Sequence, residues 1–262
     1  MKIKAKKSLG QNFLIDKNIL DKIVNVVPIK GKTVLEIGPG SGNLTQQILN
    51  QNPKKFIVIE KDNDLVKYLE KIFNNQIKII HNDVLKINEK ILSKDKITVF
   101  GNLPYNISTE ILSKWILNLE KKFWFDHLIL MFQKEVAERI LAKYNTSEYG
   151  RLSILANWKL NIKKISDVKP NSFSPSPKIE SSILYLSPKN NYHILKNPKN
   201  LEKITRVFFS HRRKMLKKPY NQIFNGNKKI IKKLKINLNL RPQNLNTDMY
   251  YNLTSEYEKL IC

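Results

Sequence analysis

Short, β-branched apolar runs alternate with helical patterns between Lys32 and Leu186, and this alternation constrains the fold most strongly. Such runs, bounded by turn residues, are typical of strands, and the helical patterns between them predict strand-helix units and a mainly parallel sheet. We predict strands at Thr33–Ile37, Phe56–Glu60, Ile77–His81, Ile97–Gly101, His127–Phe132, Ile162–Val168 and Ile179–Leu186. We predict helices at Leu44–Asn50, Asn63–Phe73, Ser108–Asn118 and Lys134–Lys143.

The last two predicted strands are joined by a Pro-rich turn from Asn171 to Pro177, which is too short for a crossover helix. The pair is therefore expected to form an antiparallel hairpin at the sheet edge. After Leu186 the sequence becomes turn-prone and no further strand pattern appears. We predict an α/β domain over residues 1–188 and a small helical domain over residues 189–262.

The chain is strongly basic, with 47 Lys and Arg against 22 Asp and Glu and a formal charge of +25 at pH 7. Such a surface attracts polyanions through steering and counterion release, so we expect a nucleic-acid partner. Codon bias toward Lys, Ile and Asn would explain part of the lysine content, but it does not cancel the charge.

The cysteine and leader patterns suggest an intracellular protein. The single cysteine, Cys262, provides neither a disulfide framework nor a metal-ligand cluster, so we expect no metal site and a reducing compartment. The basic start has no apolar stretch of signal-peptide length behind it, and no segment approaches the length of a membrane span. We expect a cytoplasmic protein without membrane contact, acting as a monomer.

A glycine-rich turn with Gly38, Gly40 and Gly42 lies between the first predicted strand and the first predicted helix. Such a turn lets the backbone approach a ligand closely, and the helix start offers free N–H groups. Glu60 ends the next strand, 18 residues after Gly42, where a carboxylate can accept from both ribose hydroxyls. The pattern predicts a nucleoside cofactor, with a merely tight turn as the simpler alternative.

Glu36, just before the glycines, helps to decide between a dinucleotide and a methionine-containing cofactor. A carboxylate there would repel the pyrophosphate of a dinucleotide but can orient the ammonium group of a methionine moiety. We therefore predict S-adenosylmethionine. Asp83, after the third strand, is placed to accept from the adenine amino group of that cofactor, although a plain turn residue would also fit this position.

The tetrapeptide Asn102-Leu103-Pro104-Tyr105 follows the fourth predicted strand. An aromatic amine is a poor nucleophile because its lone pair is delocalised into the ring. The Asn102 side-chain oxygen and the Leu103 carbonyl can accept its two hydrogens and localise that pair. Pro104 fixes the backbone, and Tyr105 offers a face for stacking a base.

In isolation this tetrapeptide would be read as an ordinary turn, but after a nucleoside-type loop it predicts methylation of an adenine amino group. The reacting groups would meet between the tips of the first and fourth strands. Phe173, in the Pro-rich turn, is a candidate for stacking on the other face of the base, or is simply a hydrophobic plug.

These motifs resemble those of the ribosomal RNA adenine dimethyltransferases over essentially the full chain. The supporting stretches are Gly10–Leu14, Glu36–Gly42, Phe100–Thr109, Gln133–Arg139, Tyr149–Ser153, Phe173–Lys178 and Phe209–Lys214. The resemblance implies a Rossmann-like, S-adenosylmethionine-dependent methyltransferase sheet with a small C-terminal helical domain. It also implies dimethylation of two adjacent adenosines in the 3′-terminal hairpin of small-subunit ribosomal RNA, during late assembly of that subunit.

The same resemblance assigns residues by motif position. Asn12 and Leu14 would contact the cofactor from an N-terminal segment, together with Gly38, Glu60, Asp83 and Asn102. Six basic residues, expected in or beside one helical stretch, would bind RNA phosphates, with a solvated charged face as the alternative: Arg206, Arg212, Arg213, Lys214, Lys217 and Lys218. Pro219-Tyr220 departs from the family pattern and interrupts the usual helix continuation.

Three other interpretations remain open from the sequence. Enzymes that dimethylate large-subunit ribosomal RNA share both loops, although the His211–Lys214 run resembles the small-subunit family. An assembly factor that binds RNA without chemistry would also carry this charge. Finally, enzymes with related loops methylate adenine in DNA, so a DNA substrate is the third interpretation.

Overall fold

The computed structural model describes residues 5–6, 10–119 and 122–261. The chain divides into two compact units. The first comprises the described residues through Lys114 together with 119–137 and 162–188, and the second comprises 115–118, 138–161 and the described residues from Lys189 onward. None of the helices within the described residues is both long and apolar enough to cross a membrane.

The described strands are β1 (Phe13–Leu14), β2 (Thr33–Ile37), β3 (Lys55–Glu60), β4 (Lys78–His81), β5 (Ile97–Asn102), β6 (Phe125–Gln133), β7 (Leu160–Val168), β8 (Phe173–Ser174) and β9 (Ser181–Pro188). The described helices are α1 (Lys17–Val24), α2 (Asn43–Leu49), α3 (Asn63–Phe73), α4 (Ser108–Leu117), α5 (Lys134–Leu141), α6 (Arg151–Lys159), α7 (Pro198–Ser210), α8 (Lys217–Phe224), α9 (Lys228–Leu234) and α10 (Thr247–Leu260). Short 3₁₀ turns connect several of them.

The first unit is built on a seven-stranded sheet of order β4-β3-β2-β5-β6-β9-β7. The pairs from β4 through β6 are parallel, and β9 runs antiparallel to β6. Central strand β2 is buried along its whole length, as expected where helices cover both faces of a parallel sheet. The mainly parallel sheet with an antiparallel final hairpin is therefore confirmed.

The chain builds the sheet outward from β2 in two directions, first through β3 and β4 and then through β5 and β6. The crevice at such a reversal, outside the carboxyl ends of the strands, is where α/β sheets bind ligands. Ile37 at the end of β2 is in register with Gly101 near the end of β5. The first and fourth predicted strands are thus neighbours, and the loops that follow them emerge side by side.

The predicted strands and helices are all present, with ends within two residues of those expected. The sequence analysis did not predict α1, α6 or the short antiparallel pair of β1 and β8. Helix α6 buries Ile154, Leu155, Ala156 and Trp158, so it lacks the polar face that reveals a surface helix in sequence. The β1–β8 pair joins residues about 160 apart, which no local pattern can indicate.

The second unit is helical. The ring of Phe208 on α7 meets that of Tyr250 on α10 edge-on, with centroids 5.7 Å apart, and the Tyr251 hydroxyl donates to the Ile154 carbonyl of α6 at 2.9 Å. A division between the units falls after Pro188, where the composition changes. Residues 138–161, assigned from sequence to the first domain, group with the helical unit because α6 packs on α7 and α10.

Candidate active site

A solvent-open cleft with a cavity volume of about 200 Å³ lies at the carboxyl ends of β2, β3, β4 and β5. Residues 10–14, 36–41, 43–44, 59–61, 65, 82–84 and 102–107 line it. Both sequence motifs, the glycine loop and the Asn102–Tyr105 loop, therefore contribute to one cavity. The N-terminal stretch that the family resemblance assigned to the cofactor lines the same cavity.

The glycine loop packs too tightly for side chains. Gly40 has φ +58°, and a Cβ on it would lie 2.8 Å from the ring of Phe13. Gly42 has φ +81° at the start of α2, and a Cβ there would lie 2.7 Å from the ring of Phe73. Only glycine adopts these left-handed conformations without strain and leaves room for these rings.

Glu36 at the floor of the cleft is 2% exposed, and its Oε2 accepts from the Thr45 hydroxyl at 2.7 Å. Burial raises the pKa of Glu36 to about 8, against the opposing effect of the Thr45 hydrogen bond. The nearby carboxyl of Glu60 adds to the rise. A cationic ligand group would favour ionisation of this carboxyl and would thereby be bound by it.

Glu60 at the end of β3 is held by its own turn. Its Oε1 accepts from the backbone N–H groups of Lys61 and Asp62, each at 2.8 Å, and its Oε2 accepts from the Gly40 N–H at 3.4 Å. Burial raises the pKa of Glu60, and these backbone hydrogen bonds act against the rise. The carboxylate is thus oriented along the glycine loop.

Asp83 follows β4 and caps a 3₁₀ turn, where its Oδ1 accepts from the Leu85 N–H at 3.0 Å. Its Oδ2 accepts from the Lys61 ammonium at 2.8 Å, and this hydrogen bond lowers the pKa of Asp83. The turn-residue role considered from sequence is therefore present, and it places the carboxylate at the cleft.

The lining suits S-adenosylmethionine better than a dinucleotide. Three carboxyl groups, Glu36, Glu60 and Asp83, stand at the ends of successive parallel strands. Among the described residues of the lining, Lys61 is the sole Lys or Arg, and it is paired with Asp83. These carboxyl groups would repel a pyrophosphate. Their oxygens can accept hydrogen bonds from ammonium, ribose hydroxyl and adenine amino groups.

Asn102 ends β5 beside the glycine loop. Its side-chain Nδ2 donates to the Asn12 carbonyl at 2.9 Å, which orients the amide. Among the described residues, none donates a hydrogen bond to its Oδ1. An acceptor oxygen on a fixed amide is the group that the predicted chemistry requires.

The rest of the tetrapeptide forms a turn into α4. The Leu103 side chain is buried, and the Pro104 carbonyl accepts from the Ile107 N–H at 3.1 Å. Tyr105 is half-buried at the cleft, and burial raises the pKa of its hydroxyl. The site therefore presents a neutral amide and a neutral aromatic ring.

Phe173 is not among the residues that line the cleft, although it packs beside one of them, Leu14. Its ring is 3% exposed in an apolar cluster with Leu14, Ile23 and Met131, and its backbone pairs with Leu14. In this position the ring acts as the hydrophobic plug considered from sequence. Stacking of Phe173 on a base stays a prediction, and it would require the ring to leave this cluster.

The N-terminal segment is fastened to the start of α3, a feature that sequence reasoning did not find. The Lys6 ammonium bridges Asp62 and Asp64 at 2.6 and 2.7 Å, and Gln11 Nε2 donates to Asp62 at 2.9 Å. The Asn43 side chain also donates to the Leu14 carbonyl at 2.7 Å. Asn12 and Leu14 thereby reach the cleft, as the resemblance implied.

The predicted RNA-binding residues do not lie on one continuous helix, because α7 ends at Ser210 and α8 begins at Lys217. Arg212 donates to the carbonyls of Ser147 and Tyr149 within the second unit, so its guanidinium is engaged by the protein itself. The other five are exposed: Arg206, Arg213, Lys214, Lys217 and Lys218.

Known proteins with similar sequences support this interpretation of the site. A family model described as Ribosomal RNA adenine dimethylase matches residues 2–259. Two relatives named Ribosomal RNA small subunit methyltransferase A are similar throughout. The protein of Pelagibacter ubique is 64% identical over 260 residues, covering 99% of each chain. That of Wolbachia sp. subsp. Drosophila simulans is 41% identical over 264 residues, covering 99% of this chain and 96% of the relative.

Two solved structures share the fold. A dimethyladenosine transferase from Plasmodium falciparum superposes with a TM-score of 0.78 at 29% identity, covering 94% of this chain and 98% of that one. The 23S rRNA methyltransferase ErmE superposes with a TM-score of 0.68 at 19% identity, covering 94% of this chain and 100% of that one. The match along nearly the whole sequence shows that the chain belongs to the ribosomal RNA adenine dimethylase family.

Proposed function

We propose that the protein dimethylates the N6 atoms of two adjacent adenosines in the 3′-terminal hairpin of small-subunit ribosomal RNA, during late assembly of that subunit. The observation that carries this proposal is the meeting of the two loops in one cleft, since Ile37 and Gly101 pair on neighbouring strands. The names of the relatives support the small subunit as the source of the RNA.

Family membership makes S-adenosylmethionine the cofactor. When bound, it supplies a methyl group on a positively charged sulfur. Glu36 would bind its ammonium group, Glu60 its ribose hydroxyls and Asp83 its adenine amino group, while Gly38 and Gly40 let the backbone approach. Asn12 and Leu14 would cover it from the N-terminal segment.

Asn102 and Leu103 would prepare the target amine. The Asn102 Oδ1 and the Leu103 carbonyl would each accept one N–H, which concentrates the lone pair on nitrogen. The methylated amine is acidic enough to lose its proton to water or a neighbouring acceptor, so the site needs no strong base. Positioning of the amine by these two acceptors and by Tyr105 would supply most of the rate.

The exposed basic residues of the second unit would bind RNA phosphates. Arg206 on α7, the Arg213-Lys214 turn and the Lys217-Lys218 start of α8 offer five cations to solvent. Such contacts position the enzyme on its substrate without reading the base sequence. The proposal includes a cytoplasmic monomer that uses no metal ion.

The test compares the wild type with Asn102→Ala on small subunits that lack the two dimethyladenosines. Losing one of two acceptors is expected to lower kcat by about 10²–10³-fold, with cofactor affinity largely retained. Transfer of labelled methyl groups measures the rate, and equilibrium dialysis measures cofactor affinity. Primer extension across the two adenosines locates the product.

Asn102→Asp is the matched variant, because it keeps an acceptor oxygen but loses the amide donation to Asn12. We expect it to retain more activity than Asn102→Ala. Full activity of Asn102→Ala would reject the role of this residue. Transfer by the wild type to duplex DNA, but not to small subunits, would reject the proposed substrate.

A further inference from the structure

Tyr105 has a fixed backbone but needs a second contact to fix its ring. Its carbonyl accepts from the Ser108 hydroxyl at 3.2 Å, and the neighbouring Pro104 carbonyl accepts from the Ile107 N–H at 3.1 Å. These bonds leave both side-chain torsions of Tyr105 undetermined. A ring that stacks on a base must be restrained at its far end as well.

Ser181 supplies that restraint. Its Oγ shares a hydrogen bond of 2.6 Å with the Tyr105 hydroxyl, and Ser181 is 0% exposed. The length is typical of a strong hydroxyl pair. A tyrosine hydroxyl is protonated at neutral pH, and burial raises the pKa of Tyr105 further, so the hydrogen bond is present across the neutral pH range.

Ser181 is itself held rigidly. It is the first residue of β9 and pairs with Gln133 on β6, which neighbours the catalytic strand β5. The preceding residue, Glu180, accepts from the Lys134 ammonium at 2.6 Å and, through its carbonyl, from the Lys134 N–H at 3.0 Å. The Ser181 hydroxyl therefore ties the ring of Tyr105 to a fixed position on the sheet.

We propose that Ser181 is a positioning residue that fixes the ring of Tyr105 as one wall of the base pocket. The inference rests on the adenine methylation proposed above. A flat base lying on a tilted ring would carry its amino group away from the Asn102 oxygen. Displacements of about 1 Å can cost about 10²-fold in rate.

Ser182 provides a matched control within the same strand. It is 1% exposed, and its Oγ donates to Asp167 Oδ1 at 2.6 Å, the same length as the bond of Ser181. Its side chain points to the opposite face of β9. Ser182→Ala therefore removes an equally short hydrogen bond from an equally buried serine without touching Tyr105.

The experiment is a double-mutant cycle of Tyr105→Phe and Ser181→Ala, assayed on small subunits lacking the modification. Each single variant is expected to lose about 10-fold in kcat, and the double variant no more than either, because both remove one hydrogen bond. Cofactor affinity should be unchanged. Ser182→Ala should keep wild-type kcat while losing as much thermal stability as Ser181→Ala.

Losses that multiply to about 100-fold, or a wild-type kcat in Ser181→Ala, would overturn the positioning role. Should Ser181→Ala not fold, Tyr105→Phe tests the same bond from its other partner, and wild-type kcat in that variant would overturn the role as well. These outcomes leave the proposed function intact provided the wild type methylates small subunits. An inactive wild type would overturn both.

Discussion

The two ends of the cleft differ in chemistry. At the ends of β2, β3 and β4 stand the carboxyl groups of Glu36, Glu60 and Asp83, two of them with raised pKa values and one with a lowered value. At the end of β5 stand the neutral groups of Asn102 and Tyr105. The cofactor end should therefore respond to charge and pH, whereas the base end should respond to geometry.

Backbone shape is expected to have the largest effect at the cofactor end. Gly40→Ala would place a Cβ 2.8 Å from the Phe13 ring and force a left-handed φ on alanine, so that the loop and the N-terminal segment both shift. We expect cofactor affinity to fall by about 100-fold, roughly 2.7 kcal/mol, measured by calorimetric titration.

Gly31→Ala is the control for this substitution. Gly31 also has a positive φ, +71°, but a Cβ there meets nothing within 4 Å, and the residue lies outside the cleft lining. It should lose about 1 kcal/mol of stability and no cofactor affinity. Equal cofactor affinity in both variants would show that the crowding at Gly40 is unimportant.

Charge at the cofactor end is expected to have an intermediate effect. Glu36→Gln removes the carboxylate that would bind the ammonium group, and we expect cofactor affinity to fall by about 10-fold. The rate at saturating cofactor should stay within about threefold, because the base end is unchanged. A larger loss in kcat than in affinity would erase the distinction between the two ends.

The same variant has a defined pH signature in protein without added cofactor. The folded state keeps the Glu36 proton up to about pH 8, whereas an unfolded glutamate releases it near its ordinary pKa of 4.5. Folding therefore binds a proton, and this contribution to stability is complete below about pH 4.5 and is lost as pH rises through about 8. Thermal denaturation should show Glu36→Gln gaining on the wild type over that window.

Fastening of the N-terminal segment is expected to have the smallest effect. Lys6→Met removes the ion pairs to Asp62 and Asp64, but the bonds from Gln11 and Asn43 remain. We expect cofactor affinity to fall by about threefold, and less at high salt, because the buried Asp62 carboxylate keeps the hydrogen bond from Gln11, and the pair with exposed Asp64 is weak and screened. Lys54→Met is the control. It breaks an exposed ion pair with Asp95, and neither residue lines the cleft, so cofactor affinity should be unchanged.

Much of the first unit could be predicted because its signals are local. The helix Asn63–Phe73 begins after the capping residue Asp62 and carries a regular apolar stripe, so its ends were predicted without error. Helix α6 has no such stripe in its sequence. Residues 138–161 belong to the second unit because α6 packs against α7 and α10, which the sequence does not indicate. For Phe173 the local motif was not enough: it made the residue a candidate for stacking on the base, whereas the fold buries the side chain in an apolar cluster.

The sequence by itself determined the strands, the glycine loop, the acceptor tetrapeptide and the chemistry they favour, because spacing and residue type are enough to specify them. Tertiary structure decided which groups meet. It set the Asn102 amide against Asn12, the Lys6 ammonium against Asp62 and the Tyr105 hydroxyl against Ser181. Each of these contacts joins residues more than 50 positions apart, and their distances depend on strand order and register, which local sequence does not encode.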